Sequence, residues 1–318
     1  MMKLGLYSIS LAGGFYAGPS LPLLEVVQRA REWGYEGVEV SAKRPHGSPL
    51  DLDEKRRREV VSVARQEGVD LPAVAAYTDF SSPIEEHREN ELLMAREVIR
   101  LAADLGAPIV RVFAAWAGVT RRDGRWTYDL TRIEAPGGRL YYDRYPGVTQ
   151  LERWTFVREC LAEAARVAEA HGVTLALQNH EPLVRGHEDV LEFIEEVGSP
   201  ALKASLDCPI MKDQSEAAIR RAVRETGGLM VHSHFGGEYD AAPEGPNGVP
   251  VPRKLTRAGQ LANYPAFIRA IKEQGYGGYL AYELCHPCLI GHRFYGLDEA
   301  LNQVRRAARY MRHLLETA

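Results

Sequence analysis

The sequence predicts an α/β protein, a single (β/α)8 TIM barrel that occupies residues 1–318 as one domain. Eight short apolar runs alternate with eight amphipathic runs, which is the pattern of repeated β/α units. Several helical runs end in a glycine just before the next apolar run, as at Gly68 and Gly172. The first strand is not followed by glycines at the G-x-G-x-x-G spacing, so an open dinucleotide-binding sheet is disfavoured.

The predicted strands are nearly continuous apolar and β-branched runs, as expected for a parallel sheet covered on both faces. They are Lys3–Ser10, Gly37–Ser41, Asp70–Tyr77, Pro108–Ala115, Val173–His180, Leu202–Pro209, Leu229–Gly236 and Gly278–His286. The predicted helices have apolar residues at helical spacing and begin or end at capping residues. They are Leu21–Trp33, Asp53–Glu67, Glu85–Leu105, Gln150–His171, His187–Val197, Gln214–Thr226, Tyr264–Gln274 and Leu297–Thr317.

Two of the predicted connections are long, and they follow strands four and seven. They comprise residues Trp116–Thr149 and Gly237–Asn263. Both leave the barrel at the carboxyl ends of the strands, where TIM barrels build their active sites. The first is rich in aromatic residues, which favours a lid or a subunit contact over a simple surface insertion. These aromatic residues are Trp116, Trp126, Tyr128, Tyr141, Tyr142 and Tyr145.

The composition excludes several classes of protein. A net charge of −4 and a pI near 6.2 provide no basic surface for nucleic acid or for an anionic membrane. No stretch approaches the roughly 18 apolar residues of a membrane span, and the start "MMKLGLYSIS" is typical of a first strand rather than a signal peptide. Four cysteines in a chain of this length do not make a disulfide framework, so a cytoplasmic location is expected. The pair Cys285 and Cys288 is interpreted as structural rather than redox-active or zinc-binding.

Polar side chains end the last four predicted strands, at comparable depth. Gln178 ends strand five, Asp207 strand six, His234 strand seven and Glu283 strand eight. If these side chains point into the barrel, the four converge at its mouth. Two carboxylates, an imidazole and an amide oxygen predict one divalent metal ion, Mn²⁺ first, with Mg²⁺, Co²⁺ or Zn²⁺ as further choices. The alternative is that each residue simply ends its strand in solvent.

With these residues in place, the chain resembles the xylose-isomerase-like barrel superfamily, the sugar phosphate isomerase/epimerase family. The resemblance covers nearly the whole chain and rests on "LQNH" after strand five, the strand-six Asp, the strand-seven H-x-H and the strand-eight Glu. It implies a metal at these positions and chemistry on a sugar. The superfamily also contains endonuclease IV, which binds three metals through many more ligands, and the acidic balance of this chain argues against a nuclease.

Two departures from the family affect the reaction. Gln178 stands where most relatives have the Glu that exchanges a substrate proton, and an amide has no pKa with which to act as a base. Ile210 stands where the ketose 3-epimerases carry a His. C3 epimerisation by two carboxylates is therefore disfavoured. Glu283 remains as ligand or base, with His180 as its acid/base partner or, alternatively, as an ordinary strand-end histidine.

Further polar and aromatic side chains are expected at the mouth, where they would contact a carbohydrate substrate. Arg111 lies within a strand, so it requires an anionic substrate or an internal salt bridge. The candidate substrate-binding residues are His46, Tyr77, Arg111, Trp116 and His180.

The sequence therefore predicts a metal-dependent isomerase or epimerase that removes a proton next to a chelated carbonyl of a sugar or keto-sugar. The first alternative is a lyase, either a dehydratase or an enzyme that cleaves a C-glycoside by β-elimination on a 3-keto sugar. The second is a non-catalytic barrel that binds a sugar or serves as a subunit, although the retained Asp207, His234 and Glu283 argue against it. The expected partners are a small carbohydrate and a second copy of the chain, with neither nucleic acid nor membrane.

Overall fold

Eight parallel strands close into a barrel in the computed structural model, which confirms the predicted fold. Each strand pairs with its neighbours in chain order, and the first pairs with the last to close the sheet. The strands are β1 Lys3–Tyr7, β2 Gly37–Ser41, β3 Ala73–Ala75, β4 Ile109–Val112, β5 Thr174–Gln178, β6 Leu202–Ser205, β7 Met230–Gly236 and β8 Tyr279–Glu283. The structure describes residues 2–122, 125–128, 132–135, 139–142, 145–241, 248–253 and 261–318.

Eight helices surround the barrel and follow the strands in alternation. They are α1 Leu23–Arg29, α2 Glu54–Glu67, α3 Glu85–Leu105, α4 Gln150–His171, α5 His187–Val197, α6 Glu216–Thr226, α7 Tyr264–Glu273 and α8 Leu297–Thr317. Gly68 and Gly172 end α2 and α4 at φ values of 64° and 66°, a left-handed conformation that glycine adopts without steric cost. Among the helices in the described parts of the chain, none is long and apolar enough to cross a membrane.

Seven of the eight barrel strands are shorter than predicted, mainly at their carboxyl ends, while β2 has the predicted bounds. The predicted strand Lys3–Ser10 ends at Tyr7, and a 3₁₀ turn over Ser8–Leu11 follows it. The predicted strand Asp70–Tyr77 is regular only over Ala73–Ala75, with an isolated bridge between Asp70 and Gly37. Apolar character continues beyond the last ladder hydrogen bond because the loops at the mouth are themselves buried.

The barrel interior is polar at the level of β2, although the strand is buried along its whole length. Val38 and Val40 alternate with Glu39 and Ser41, so the two pairs face opposite sides of the sheet. Tyr7 of β1 lies in register with Glu39. A charged side chain at this depth requires partners, and the opposite side of the barrel supplies them.

Both predicted long connections carry short antiparallel hairpins beyond the barrel. After β4, the segment Val119–Arg122 pairs with Arg125–Tyr128, and Arg132–Ala135 pairs with Arg139–Tyr142. After β7, Tyr239–Asp240 pairs with Val251–Pro252. The side chains of Tyr128, Tyr141 and Tyr142, expected to form part of a lid or a subunit contact, lie outside the described residues.

Candidate active site

Asp207 lies at the centre of the candidate site and joins three neighbouring strands. Its Oδ2 accepts hydrogen bonds from the Gln178 amide and, over 3.0 Å, from Nδ1 of His234. Its Oδ1 accepts from the backbone N–H of His234 at 2.7 Å. Gln178 ends β5, Asp207 follows β6 and His234 lies in β7, so the structure brings these three sequence-selected residues into direct contact.

Glu283, the last residue of β8, lines the same cavity as Gln178 and Asp207. It is half-buried, and its side chain makes no hydrogen bond or ion pair to the part of the chain that the structure describes. Burial raises the pKa of Glu283; His234 and Arg111 oppose this effect, while Asp207 adds repulsion. A carboxylate with a raised pKa, open to a cavity, is suited to accept a proton.

Glu39 is the residue at this site that sequence reasoning missed. Its Oε2 accepts from Nε2 of His232 at 2.9 Å and from Nε2 of His234 at 2.7 Å. All three side chains are buried. The sequence does carry a signal for it, because "GVEVS" places an acidic residue inside an apolar strand and a buried carboxylate requires a partner.

The imidazole of His234 lies between two carboxylates, and this sets the charges of the cluster. Burial alone lowers the pKa of His234, but Glu39 and Asp207 outweigh it and raise that pKa well above its usual value. Burial alone raises the pKa of Glu39, but His234 and His232 hold it well below its usual value. The pKa of Asp207 is also lowered, since His234 and Gln178 overcome the effect of burial. Without a metal, the cluster is therefore a charged network of two carboxylates and one imidazolium.

The donor set fits a divalent cation. Oε1 of Gln178 is buried and has no hydrogen-bond partner within the described ranges. Together with Asp207, His234 and Glu283 it forms a set of oxygen donors and one nitrogen from consecutive strands, which suits Mn²⁺ or Mg²⁺. Nδ1 of His234 faces this set, and Nε2 is held by Glu39. A metal-binding histidine commonly donates its second N–H to a carboxylate in this way.

Another group of ligand-type side chains lies directly behind this set. Glu39, His232 and His234 have ligand atoms within 4.8 Å of one another. Their separations of 2.7 and 2.9 Å are ordinary hydrogen-bond lengths, so imidazole N–H groups satisfy Glu39 without an ion. We therefore interpret Glu39 as a support for His234 and the Asp207 side as the metal face.

A cavity of about 270 Å³ opens above Asp207, Gln178 and Glu283. Its walls are mostly aromatic and aliphatic, with a few polar groups, as in many small-molecule sites. Four of the five expected substrate-binding residues line it, namely Tyr77, Arg111, Trp116 and His180.

His46, the fifth expected residue, does not line this cavity. It is buried, and its Nε2 donates to the backbone carbonyl of Leu21 at 2.9 Å. Burial lowers the pKa of His46 to about 4, so the ring is neutral near pH 7. The loop after β2 turns away from the mouth at this point, and His46 joins it to the chain before α1.

Arg111 both lines the cavity and takes part in internal contacts. Its Nε lies 3.8 Å from Oε1 of Glu39, and one terminal nitrogen donates to the Tyr7 hydroxyl at 2.9 Å. The Tyr7 hydroxyl lies 2.6 Å from that of Tyr77, which is 2.8 Å from the Ser41 hydroxyl. The salt bridge considered for Arg111 thus exists, and its partner is the carboxylate that supports His234.

His180 packs edge-on against two aromatic rings of the cavity wall. Its centroid lies 5.0 Å from that of Phe113 and 5.5 Å from that of Trp116. Nδ1 donates to the backbone carbonyl of Glu181 at 2.5 Å, which fixes the direction of that nitrogen. The imidazole is therefore oriented by its surroundings before any substrate enters.

Trp126 closes one side of the cavity and comes from the insertion after β4. Its ring packs edge-on against Phe15 at 5.5 Å, and its backbone N–H donates to the carbonyl of Gly14 at 2.7 Å. A Cβ on Gly14 would lie only 2.0 Å from the indole, so this approach requires glycine. The described part of this insertion thus contributes one wall of the cavity.

Cys285 and Cys288, which lie beside the site, form no disulfide bond. Cys285 lines the cavity, while Cys288 is buried and donates to the carbonyl of His286 at 3.2 Å. Burial raises the pKa of Cys288 to about 12, which disfavours the thiolate that zinc or redox chemistry needs. These contacts fit the structural interpretation of the pair.

Comparisons with known proteins agree with this architecture. A family model described as xylose isomerase-like TIM barrel matches residues 27–314. D-psicose 3-epimerase from Clostridium cellulolyticum H10, in a structure with D-tagatose, superposes with a TM-score of 0.69 at 19% identity over 99% of each chain. The 3-keto-D-glucoside 4-epimerase of E. coli superposes with a TM-score of 0.66 at 18% sequence identity over 100% of each chain. A probable 3-DHS dehydratase from Bacillus anthracis superposes with a TM-score of 0.64 at 17% sequence identity, over 98% of this chain and 99% of the other. No curated protein sequence matches this chain.

Proposed function

The chain belongs to the xylose isomerase-like TIM barrel family, and on this premise we propose that it is a divalent-metal-dependent isomerase or epimerase of a sugar or keto-sugar. The observation that carries the proposal is the contact of Asp207 with both Gln178 and His234, beside a cavity that Glu283 also lines. The structural neighbours named above include two epimerases of sugars or sugar derivatives, which supports this class of reaction.

Gln178, Asp207, His234 and Glu283 would hold the metal. When bound there, a divalent cation polarises a substrate carbonyl and makes the neighbouring C–H more acidic. Asp207 contributes a negative charge that His234 and Gln178 orient from both sides. Glu39 holds the far side of the His234 ring and so fixes which nitrogen faces the site.

Glu283 is the proposed proton acceptor. Burial raises the pKa of its carboxyl group, which strengthens it as a base. His180 is the proposed second acid/base group, because it lines the same cavity and its ring is held by Phe113 and Trp116. The aromatic walls exclude water around the reacting carbon, and Arg111 and Tyr77 offer N–H and O–H groups to substrate hydroxyls.

A lyase is the second candidate, and Gln178 is the observation that favours it. Epimerisation by two opposed carboxylates is not available, since the Gln178 position carries an amide bonded to Asp207. β-Elimination needs one base at carbon and one acid at the leaving group, which Glu283 and His180 would provide. The neighbours include a probable dehydratase, which lends this candidate further support.

Two measurements on protein purified without chelator test the proposal. Metal analysis should find about one divalent ion per chain, and Asp207→Ala should lose both metal and activity while the barrel stays folded by circular dichroism. Incubation with candidate sugars in deuterated water, followed by NMR, should show deuterium on a carbon next to the carbonyl. Isomerisation or epimerisation conserves the substrate atoms, whereas a lyase releases water or an aglycone. Unchanged metal content in Asp207→Ala would contradict the metal-site assignment.

A further inference from the structure

Lys43 occupies an unusual position between two cavities. It follows β2 by two residues and lines the main cavity together with Tyr77, Trp116 and Trp126. The same side chains also line a neighbouring cavity of about 750 Å³, to which none of the proposed metal ligands contributes. Lys43 therefore lies where the reaction cavity meets a second cavity.

The ammonium group of Lys43 lies against aromatic rings, while Glu91, a carboxylate that lines the neighbouring cavity, accepts a hydrogen bond from the backbone N–H of Asp79. Nζ of Lys43 lies 4.1 Å from the ring centroid of Trp126 and 4.9 Å from that of Tyr77. Within the described ranges, no carboxylate lies within ion-pair distance of it. The nearest charge that acts on it is Arg121, of the same sign. Burial and this repulsion lower the pKa of Lys43 to about 8, so the ammonium is poorly stabilised by the protein itself.

Arg111, the second cationic side chain that lines the main cavity, has an acidic partner. Arg111 lies 3.8 Å from Glu39 and donates to Tyr7, so its charge is balanced inside the barrel. Within the described ranges, neither Lys43 nor Arg121 forms an ion pair with a carboxylate, although Glu91 lines the same neighbouring cavity. An anion bound in the neighbouring cavity, which both side chains line, would gain charge-assisted hydrogen bonds from them.

Resting on the proposed sugar chemistry, we propose that the substrate carries a carboxylate or phosphate at the end away from the metal, and that Lys43 binds this anion. The sugar carbonyl would lie towards Asp207 and Glu283. The rings of Tyr77 and Trp116, 5.8 Å apart, would contact the apolar faces between the two ends. Lys43 is thus a specificity-determining residue that selects acidic sugar derivatives over neutral sugars.

Equilibrium binding to the protein as purified tests this proposal with three matched ligands: D-glucose, D-glucuronate and D-glucose 6-phosphate. We expect one of the acids to bind about tenfold to hundredfold more tightly than glucose. Lys43→Met should reduce that preference to within about threefold, and Lys43→Arg should retain most of it. Lys55→Met, an exposed lysine of α2, is the control and should keep the full preference. The acid that is preferred distinguishes a carboxylate from a phosphate substrate.

Two outcomes would overturn the proposal: no preference for either acid in the native protein, or a preference that survives in Lys43→Met. A purely structural role for Lys43 would lower the melting temperature of that variant and leave the preference unchanged. Failure of the proposed function appears elsewhere, as unchanged metal content in Asp207→Ala. The two failures are therefore distinguishable.

Discussion

Oε2 of Glu39 lies 2.7 Å from Nε2 of His234, on the side of the ring opposite to Asp207. This contact spans the barrel, because Glu39 belongs to β2 and His234 to β7. It gives the imidazole one defined face towards the proposed metal.

Glu39→Gln should weaken metal binding about tenfold to hundredfold, the usual effect of losing a carboxylate behind a metal-binding histidine. The amide keeps the shape of the side chain but removes the charge that fixes His234. A chelator competition assay measures the affinity, with Glu67→Gln at the exposed end of α2 as control. Glu39→Asp should recover part of the loss. Native affinity in Glu39→Gln would show that Glu39 is only a structural partner of Arg111.

Gln178→Glu should lower the folding stability of the metal-free protein but strengthen its binding of the metal. Without metal, a carboxylate replaces the amide that donates to Asp207, and the repulsion should cost roughly 1–3 kcal/mol of folding free energy. With metal, the added charge should tighten binding. Thermal unfolding with and without Mn²⁺ measures both effects, and Gln150→Glu at the exposed start of α4 is the control. A variant that responds to Mn²⁺ no more than the native chain contradicts Gln178 as a ligand.

His180→Ala should lower turnover by roughly two to four orders of magnitude on a confirmed substrate if His180 transfers a proton. Because the ring also packs on Phe113 and Trp116, His180→Phe is the informative comparison. It preserves an aromatic ring without a titrating nitrogen, and it should be as inactive as the alanine variant. If phenylalanine restores turnover, His180 is a packing or binding residue and the partner of Glu283 lies elsewhere.

His46 should make the protein sensitive to acid. Its pKa is about 4 when folded and near 6.5 when unfolded, so the unfolded chain binds more protons between these values. The contribution of neutral His46 to the free energy of unfolding is fully present above pH 6.5. It falls by about 3 kcal/mol as the pH drops from 6.5 to 4. His46→Gln keeps a donor for the Leu21 carbonyl and should lose less stability over this range. Urea unfolding at several pH values, with exposed His171→Gln as control, measures the difference. Parallel losses in the native and His46→Gln proteins would contradict this origin.

The amino-acid pattern was sufficient for the architecture. The apolar runs predicted all eight barrel strands, and glycines such as Gly68 and Gly172 marked the helix ends at their observed positions. Both signals are local, since a strand or a helix end is encoded within a few residues of itself. The sequence also pointed to four candidate metal ligands at the strand ends, namely Gln178, Asp207, His234 and Glu283. Equivalent positions in a regular barrel follow from the strand ends alone.

Tertiary structure alone decided which side chains meet across the barrel. Glu39 contacts His232 and His234, which lie 193 and 195 positions away, and the sequence does not encode which buried groups a closed sheet brings face to face. His46 follows β2 as a mouth residue would, yet its loop turns inward to Leu21. Lys43, three residues earlier, stays at the cavity. Strand periodicity fixes the face on which a residue lies, whereas the closure and stagger of the sheet fix its partners, and these depend on the packing of the whole chain.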